Sequence, residues 1–372
     1  MQLGKLQRWL RGLTLSQVLI WGMPLWALIV AFLLGSAVIA GAGADPVKAY
    51  SALFRGAVGN RGLISTTLVK SIPLMLTGLA IVLSFRASVF NIGAEGQIYM
   101  GALFAVWAGI NLPLPAGLHL VAALLWGMFG GLLWSAIAGY LKATRGFNEV
   151  VVTIFMNYIA IAFISYLVHG PMRESGWNFQ TRAVADTAKL PVILPKTDLH
   201  LGLVIALAMA AVVYILLFHT TLGYQLRMVG YNAEAARYAG IKVTRITVIS
   251  LALSGALAGL AGAVEITGVQ YRLLEGFSPG WGFDAIAVAL VGQLHPVGTL
   301  LAALFFGALR TGANSMQTAV GLPVVVVYVI QGLTVMFMVA GAAIQGYRVR
   351  RVAPPKPEAV DARDAASVVV VE

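Results

Sequence analysis

Cysteine is absent from all 372 residues. That excludes disulfides, thiolate metal centres, iron–sulfur clusters and cysteine nucleophiles together. Charge is scarce: Asp, Glu, Lys and Arg make up 10% of the chain, against about 25% in a soluble domain. There is too little polar surface to clothe a water-soluble globule. Acidic residues are the rarer sign, 14 against 25 basic ones, for a formal charge of +11 (25 − 14). No Gly-x-x-x-x-Gly-Lys-Ser/Thr loop is present to cradle nucleotide phosphates. A His-Glu-x-x-His metal motif and a Gly-x-Ser-x-Gly nucleophile elbow are missing too. The histidines at 119, 169, 200, 219 and 295 are scattered and read as loop or interface residues rather than a metal cluster. No residue set points to an enzyme.

What is present is apolar. Hydrophobic residues supply 59% of the chain and the mean hydropathy is +0.87, which excludes a disordered polypeptide. The 41 glycines exceed the usual share of about 7% and suit helices packed closely inside a bilayer. The sequence is that of an integral membrane protein. Its basic excess is therefore read as positional, because Lys and Arg gather on the cytoplasmic side of a membrane. No soluble basic module stands out, so no nucleic-acid partner is expected.

A crossing needs about 20 apolar residues. Reading between charges places a first span near Val18–Ala40, the core of a second at Ser71–Phe85, and two in Gly96–Leu141, split by Asn111-Leu-Pro-Leu-Pro115. Further windows are Val150–Met172, Leu199–Leu226, Ile246–Val264, Ala285–Leu309 and Thr311–Tyr347. Lys5, Arg8 and Arg11 before the first span, and Arg348, Arg350 and Arg351 after the last, put both termini in the cytoplasm. Parity then requires an even number. A short element near Phe283–Leu294, set apart by His295-Pro296, makes about ten; eight is the alternative, with 283–294 re-entering instead of spanning. The small-residue run Ala40–Ala44 resembles a signal cleavage site, but the apolar stretch before it is too long for a signal peptide.

The expected fold is all-α, a polytopic transmembrane helical bundle. Residues 1–17 form a cytoplasmic N-terminus, 18–347 the membrane domain and 348–372 a disordered cytoplasmic tail. Outside lie Gly41–Gly62, with a short surface helix around Pro46–Gly56, and the loop 171–200, a docking surface containing Trp177 and Phe179. The loop 220–245 lies inside.

Polar residues at bilayer depth are costly and tend to face protein or a water-filled path. Asn91 and Glu95, four apart, share a face if the chain is helical there. They line a solute path, or else form an inner-edge loop in which Glu95 pairs with Arg86. In Asn148-Glu149…Thr153…Asn157, the first two residues suit a helix cap. Asn157 suits an interhelical hydrogen bond or a solute contact. Glu265 is expected at a solvated helix end, and Asp284 remains open between an end and a path position.

In the inner loop, Asn232 can cap a short helix through Glu234, Ala235, Ala236 and Arg237 that Gly240 stops. This segment is one of several phrases that occur in order along the chain. The others are Phe90-Asn-Ile-Gly-Ala-Glu-Gly-Gln97, Asn148-Glu-Val-Val-Val-Thr-Ile-Phe-Met-Asn-Tyr158, Ser254-Gly-Ala-Leu-Ala-Gly-Leu-Ala-Gly262 and Gly282-Phe-Asp-Ala-Ile-Ala-Val-Ala-Leu-Val-Gly292. Together, over about Asp45–Tyr347, they resemble the permease subunits of ABC importers of the ribose and branched-chain amino acid permease superfamily, in its nucleoside and simple-sugar branch.

That resemblance implies a vitamin-B12-importer-like helical permease in the bacterial inner membrane. Its path is formed with a second related permease chain or a second copy of itself. A cytoplasmic ABC ATPase, which binds ATP and Mg, and an extracytoplasmic solute-binding lipoprotein complete the machine; this chain binds no cofactor of its own. By position, Asn232, Glu234, Ala235, Ala236, Arg237 and Gly240 are then the helix the ATPase grips, although the Ile-x-Leu-Pro ending of other importer permeases is missing. Asn91, Glu95, Asn157 and Asp284 are the candidate path residues. Nucleosides are the expected solute, with simple sugars or branched-chain amino acids as alternatives. An ion-coupled secondary transporter is the rival from another class.

Overall fold

The computed structural model describes residues 23–176 and 179–350. The N-terminal basic residues, the start of the first span, Trp177 and the tail from 351 lie outside the described residues.

Helices α1 (Met23–Gly41), α2 (Pro46–Val58), α3 (Arg61–Arg86), α4 (Ala94–Asn111), α5 (Leu118–Arg145) and α6 (Glu149–His169) lead to a long loop. Beyond it come α7 (Gly202–His219), α8 (Thr221–Tyr231), α9 (Ala233–Tyr238), α10 (Val243–Glu265), α11 (Trp281–Val291), α12 (Pro296–Val320) and α13 (Val325–Arg350). Among the described residues there is no β-strand, only isolated bridges between Gln180 and Leu274 and between Val192 and His200. By length and composition, α3, α5, α6, α7, α10 with its continuation to Gln270, and α12 are able to cross a membrane, and the bent pair Ile29–Gly41 and Pro46–Val58 makes a seventh if counted as one.

Every residue of α3 from Ser71 to Ser84 is buried; α3 is the central post, with α7, α10, α11 and α12 around it. On α5, by contrast, Val121, Leu125, Phe129, Leu133 and Ile137 repeat at helical spacing and are all exposed, the pattern of a lipid-facing stripe. Glycine sets how closely α4, α5 and α10 approach. A Cβ on Gly259 would run into the carbonyl of Gly127 and the backbone of Gly131, and one on Gly101 into the backbone of Gly259. Without a hydrophobic driving force between helices in lipid, such backbone-to-backbone contact supplies the van der Waals attraction.

The helix after the first span forms as expected: Asp45 accepts hydrogen bonds from the backbone of Val47 and Lys48, and Pro46 occupies the first turn. It is not a surface helix, however. Ala49, Leu53, Gly56 and Ala57 are buried, and Gly56 abuts Ser315 and Gly312 of α12.

Two charges taken as span boundaries also lie inside helices. α3 starts at Arg61, upstream of Lys70, and α12 runs unbroken through Arg310. The windows Ala285–Leu309 and Thr311–Tyr347 are therefore replaced by α11, α12 and α13. Arg310 is tolerated within α12 because Asp284 of α11 pairs with it. The separate element expected near Phe283–Leu294 is α11.

The loop before α7 is strapped to the end of α10. Thr181, Val184 and Leu190 donate backbone hydrogen bonds to the carbonyls of Leu273, Tyr271 and Thr267 at 3.0, 2.9 and 2.8 Å. His200 ends this loop, buried against Gly202 and Gly268, with its Nδ1 accepting from Gly202 N at 3.1 Å. Burial pushes its pKa down to about 4, because the charged ring would lose its hydration. The folded chain thus resists a proton that the unfolded chain accepts near pH 6.5. This stability is complete above pH 6.5 and is lost as pH falls from there toward 4. Thermal unfolding in detergent should show a midpoint that drops between pH 7 and 4.5, with a shallower drop in His200→Gln; equal slopes would contradict this.

Candidate functional site

Between α3 and α4 the chain leaves the helix inside the bundle. Seven residues, Ala87–Gly93, interrupt it, with Ser88 at a φ of 54°. Backbone groups freed in apolar surroundings must find partners. Here α6 provides them from side chains one turn apart. Glu149 accepts from Phe90 N at 3.5 Å and Thr153 from Ile92 N at 3.3 Å. Asn157 donates to the Ile92 carbonyl at 2.9 Å and accepts from Gly96 N at 2.8 Å. Glu149 is itself held by an ion pair with Lys142 of α5. Asn148 takes the cap position, accepting from Val150 N at 2.9 Å.

Asn91 is fully buried within the interruption. Its amide exchanges two hydrogen bonds with Gln97, each 2.9 Å, donates to Ser254 Oγ at 2.8 Å and accepts from Gly93 N at 3.0 Å. Asn91 and Glu95 do not share a helical face, because α4 begins only at Ala94. Nor does Glu95 pair with Arg86: Arg86 Nε donates to the carbonyl of Leu294 at 2.9 Å, and Glu95 turns toward α11.

A second interruption meets the first. α10 widens into a π-turn, Ile266–Gln270, and Tyr271 takes a φ of 57°. The chain then folds back to Gly280 (φ 89°) and starts α11. Glu265 is buried by this fold-back, not solvated. It accepts from Gln270 Nε2 at 3.3 Å, and the same amide donates to the Phe277 carbonyl at 3.2 Å. Gly282 lies directly on the backbone of Ala94 and Glu95, where a Cβ has no room. Its N–H donates to Glu95 Oε2 at 2.6 Å. A carboxylate at the start of α11 suits both the orphan N–H groups and the helix dipole. Asp284 sits on this same turn and binds Arg310 of α12. The structure thus brings Glu95 and Asp284 together around the first turn of α11, while Asn91 and Asn157 serve the other interruption. Sequence reading missed Gln97, Ser254, Lys70 and Arg310. The signal for the last two was a basic residue inside an otherwise apolar helix.

The inner-loop segment is built as its residues suggest. Thr220 caps α8 by accepting from Gly223 N at 3.1 Å. Asn232 caps α9, accepting from Glu234 N and Ala235 N, both at 3.0 Å. Gly240 stops it with a φ of 82°. Ala236 is buried, whereas Glu234, Ala235, Arg237 and Gly240 are exposed. Tyr231 and Tyr238 are 79% and 94% exposed, far beyond what burial of an aromatic ring would favour. α8 is fixed to the first interruption: Gly230 packs against the Arg86 carbonyl, and Ser88 Oγ donates to the Gly230 carbonyl at 2.7 Å. Among the described residues no cluster of three or more His, Asp or Glu side chains is arranged to hold a metal ion.

The Asp284–Arg310 pair yields a double-mutant test. Removing one partner leaves the other charge uncompensated and costs about 3–5 kcal/mol, whereas apolar replacement of both is far milder. Unfolding in detergent should rank Asp284→Ala as less stable than Asp284→Ala with Arg310→Met. The reverse order would contradict a paired, largely enclosed Arg310.

The interrupted helices, the glycine contacts and the capped inner loop fall almost wholly within one recognised family. Residues 63–339 match the family described as branched-chain amino acid transport system / permease component. The guanosine ABC transporter permease protein NupP of Bacillus subtilis is 37% identical over 87% of this chain and 94% of its own. The glucose ABC transporter permease protein TsgB13 of Haloferax volcanii is 35% identical over 90% and 91%. The nucleoside ABC transporter permease protein NupB of Lactococcus lactis is 33% identical over 92% and 95%. The matched segment contains both interruptions and the capped inner loop, and this chain belongs to the family described as branched-chain amino acid transport system / permease component.

Proposed function

We propose that this chain is a permease subunit of an ATP-driven importer of nucleosides. The observation that carries the reading is α9. Its capped, mostly exposed helix presents Tyr238 and Arg237, and α8 ties it through Gly230 to the Arg86 end of α3. A short, exposed helix of this kind can seat in a groove on a partner protein, here a separate ABC ATPase that binds ATP and Mg. Closure of the ATPase pair would pull on α9 and tilt the bundle between outward and inward openings. The names of NupP and NupB support nucleosides; TsgB13 supports a sugar as the second reading.

Two related chains of Bacillus subtilis, NupP and NupQ, both match this one, which supports a heterodimer of permeases. An extracytoplasmic solute-binding protein would dock on the loop 171–200. Counting α1, α3, α4, α5, α6, α7, α10, α11, α12 and α13 gives ten crossings, α4 and α11 each completing one with its interruption. Both termini then lie in the cytoplasm, in the inner membrane, in the manner of the vitamin-B12 importer. The chain is a conduit and not an enzyme.

Loss of an interfacial aromatic anchor costs more than about 1.4 kcal/mol, a tenfold change. In the reconstituted importer, Tyr238→Ala should cut solute-stimulated ATP hydrolysis about tenfold while the permease still inserts. Unchanged hydrolysis, or uptake that survives ATP depletion and collapses with the proton or sodium gradient, would overturn the proposal.

A further inference from the structure

Where α3 and α7 end and α8 begins, basic and aromatic side chains gather beside the connection from α11 to α12. The guanidinium carbons of Arg86 and Arg227 lie 6.0 and 5.3 Å from the centre of the Phe218 ring. His295 packs on Phe218 at 5.5 Å between ring centres and on Tyr214 at 5.9 Å, and Tyr214 meets His219 at 5.6 Å. Tyr214 and His219 are exposed; the other four are half-buried.

This cluster lacks an anion. Among the described residues, neither arginine forms an ion pair. Arg86 spends its Nε on the Leu294 carbonyl at 2.9 Å, and Arg227 Nε is enclosed without a partner. The terminal nitrogens of both make no hydrogen bond among the described residues and are not enclosed. They are the groups that a ligand at the surface meets. Two cations over one ring repel each other, and neither accepts a hydrogen bond. A phosphate relieves both costs, because its oxygens match the guanidinium fork.

Position indicates where that phosphate comes from. The exposed apolar residues Val204, Leu207, Val212 and Ile215 of α7 lead to the cluster. Val204 to Tyr214 covers about 15 Å of helix, one leaflet's share of a hydrocarbon layer roughly 30 Å thick. Basic pockets between helices on the cytoplasmic side bind anionic headgroups, and tyrosine is favoured at that boundary. We propose that Arg86 and Arg227 hold the phosphate of an anionic phospholipid whose acyl chain lies along α7. The headgroup then bridges α3 and α8, the two elements that join the inner segment to the first interruption. The cytoplasmic placement rests on the topology proposed above; the binding itself does not depend on it.

The test is native mass spectrometry of the assembled importer, delipidated in detergent and given equal amounts of phosphatidylglycerol and phosphatidylcholine. The unmutated importer should retain phosphatidylglycerol in preference. Arg227→Gln should lower that preference about fivefold. Arg145→Gln, exposed in the last turn of α5, removes the same charge elsewhere and should leave the preference unchanged. His219→Glu, at the exposed edge of the cluster, sets a carboxylate beside the arginines and should lower the preference too, which guards against an Arg227 variant that fails to assemble. Equal loss in Arg145→Gln, or no loss in Arg227→Gln and His219→Glu, overturns the site. Displacement of the lipid by inorganic phosphate marks a site for the free ion and overturns the lipid assignment. No preference in the unmutated importer leaves the arginines to the ATPase interface and overturns it as well. The readout is lipid retention, so it stands apart from the solute the importer carries.

Discussion

Backbone that leaves the helix inside an apolar bundle must have every N–H and C=O paired, since each unpaired group costs about 1–3 kcal/mol. The rest of the molecule is arranged around that requirement at Ala87–Gly93. Glu149, Thr153 and Asn157 stand one turn apart on α6 and replace the missing helical hydrogen bonds rung by rung. Because they satisfy the interruption from one side, Asn91 can close it from the other through Gln97 and Ser254. The glycines of α4, α5 and α10 then allow the neighbouring helices to close around a polar seam without leaving space for lipid.

This arrangement connects sites far apart in sequence. The inner segment α8–α9 touches the interruption at Gly230, Ser88 and Arg86. Arg86 also holds the Leu294 carbonyl beyond the end of α11, and the start of α11 returns to Glu95 through Gly282. Both ends of α11 are therefore anchored to the two ends of one interruption. Hydrogen bonds and backbone contacts thus connect α8 to the first turn of α11. Interrupted helices that meet within a bundle are a recurrent way to combine a rigid scaffold with a movable centre.

Much of this was legible in the sequence. Apolar fraction and the length of the uncharged windows yielded the all-helical class. Asn232 and Gly240 yielded the short inner helix, since capping and left-handed stops depend on local residues alone. Asn148 was legible as a cap for the same reason. What depends on long-range pairing was not. Arg310 looked like the end of a span because its partner Asp284 lies on another helix, and Lys70 misled in the same way. Glu265 looked solvated because nothing in its own neighbourhood announces the π-turn and fold-back that cover it. Asn91 and Glu95 looked like one helical face because the break before Ala94 is stabilised by α6, sixty residues away in rough terms of chain length.

The central claim is that a nucleotide-driven pull on α9 moves the start of α11. The natural absence of cysteine makes spin-label distances direct to obtain, by placing Tyr231→Cys and Phe283→Cys, both exposed positions, in the otherwise intact chain of the assembled importer. ATP binding should shift the distance distribution between the two labels to a second discrete population, reversed on hydrolysis. A single unchanged distribution with and without ATP would contradict the account.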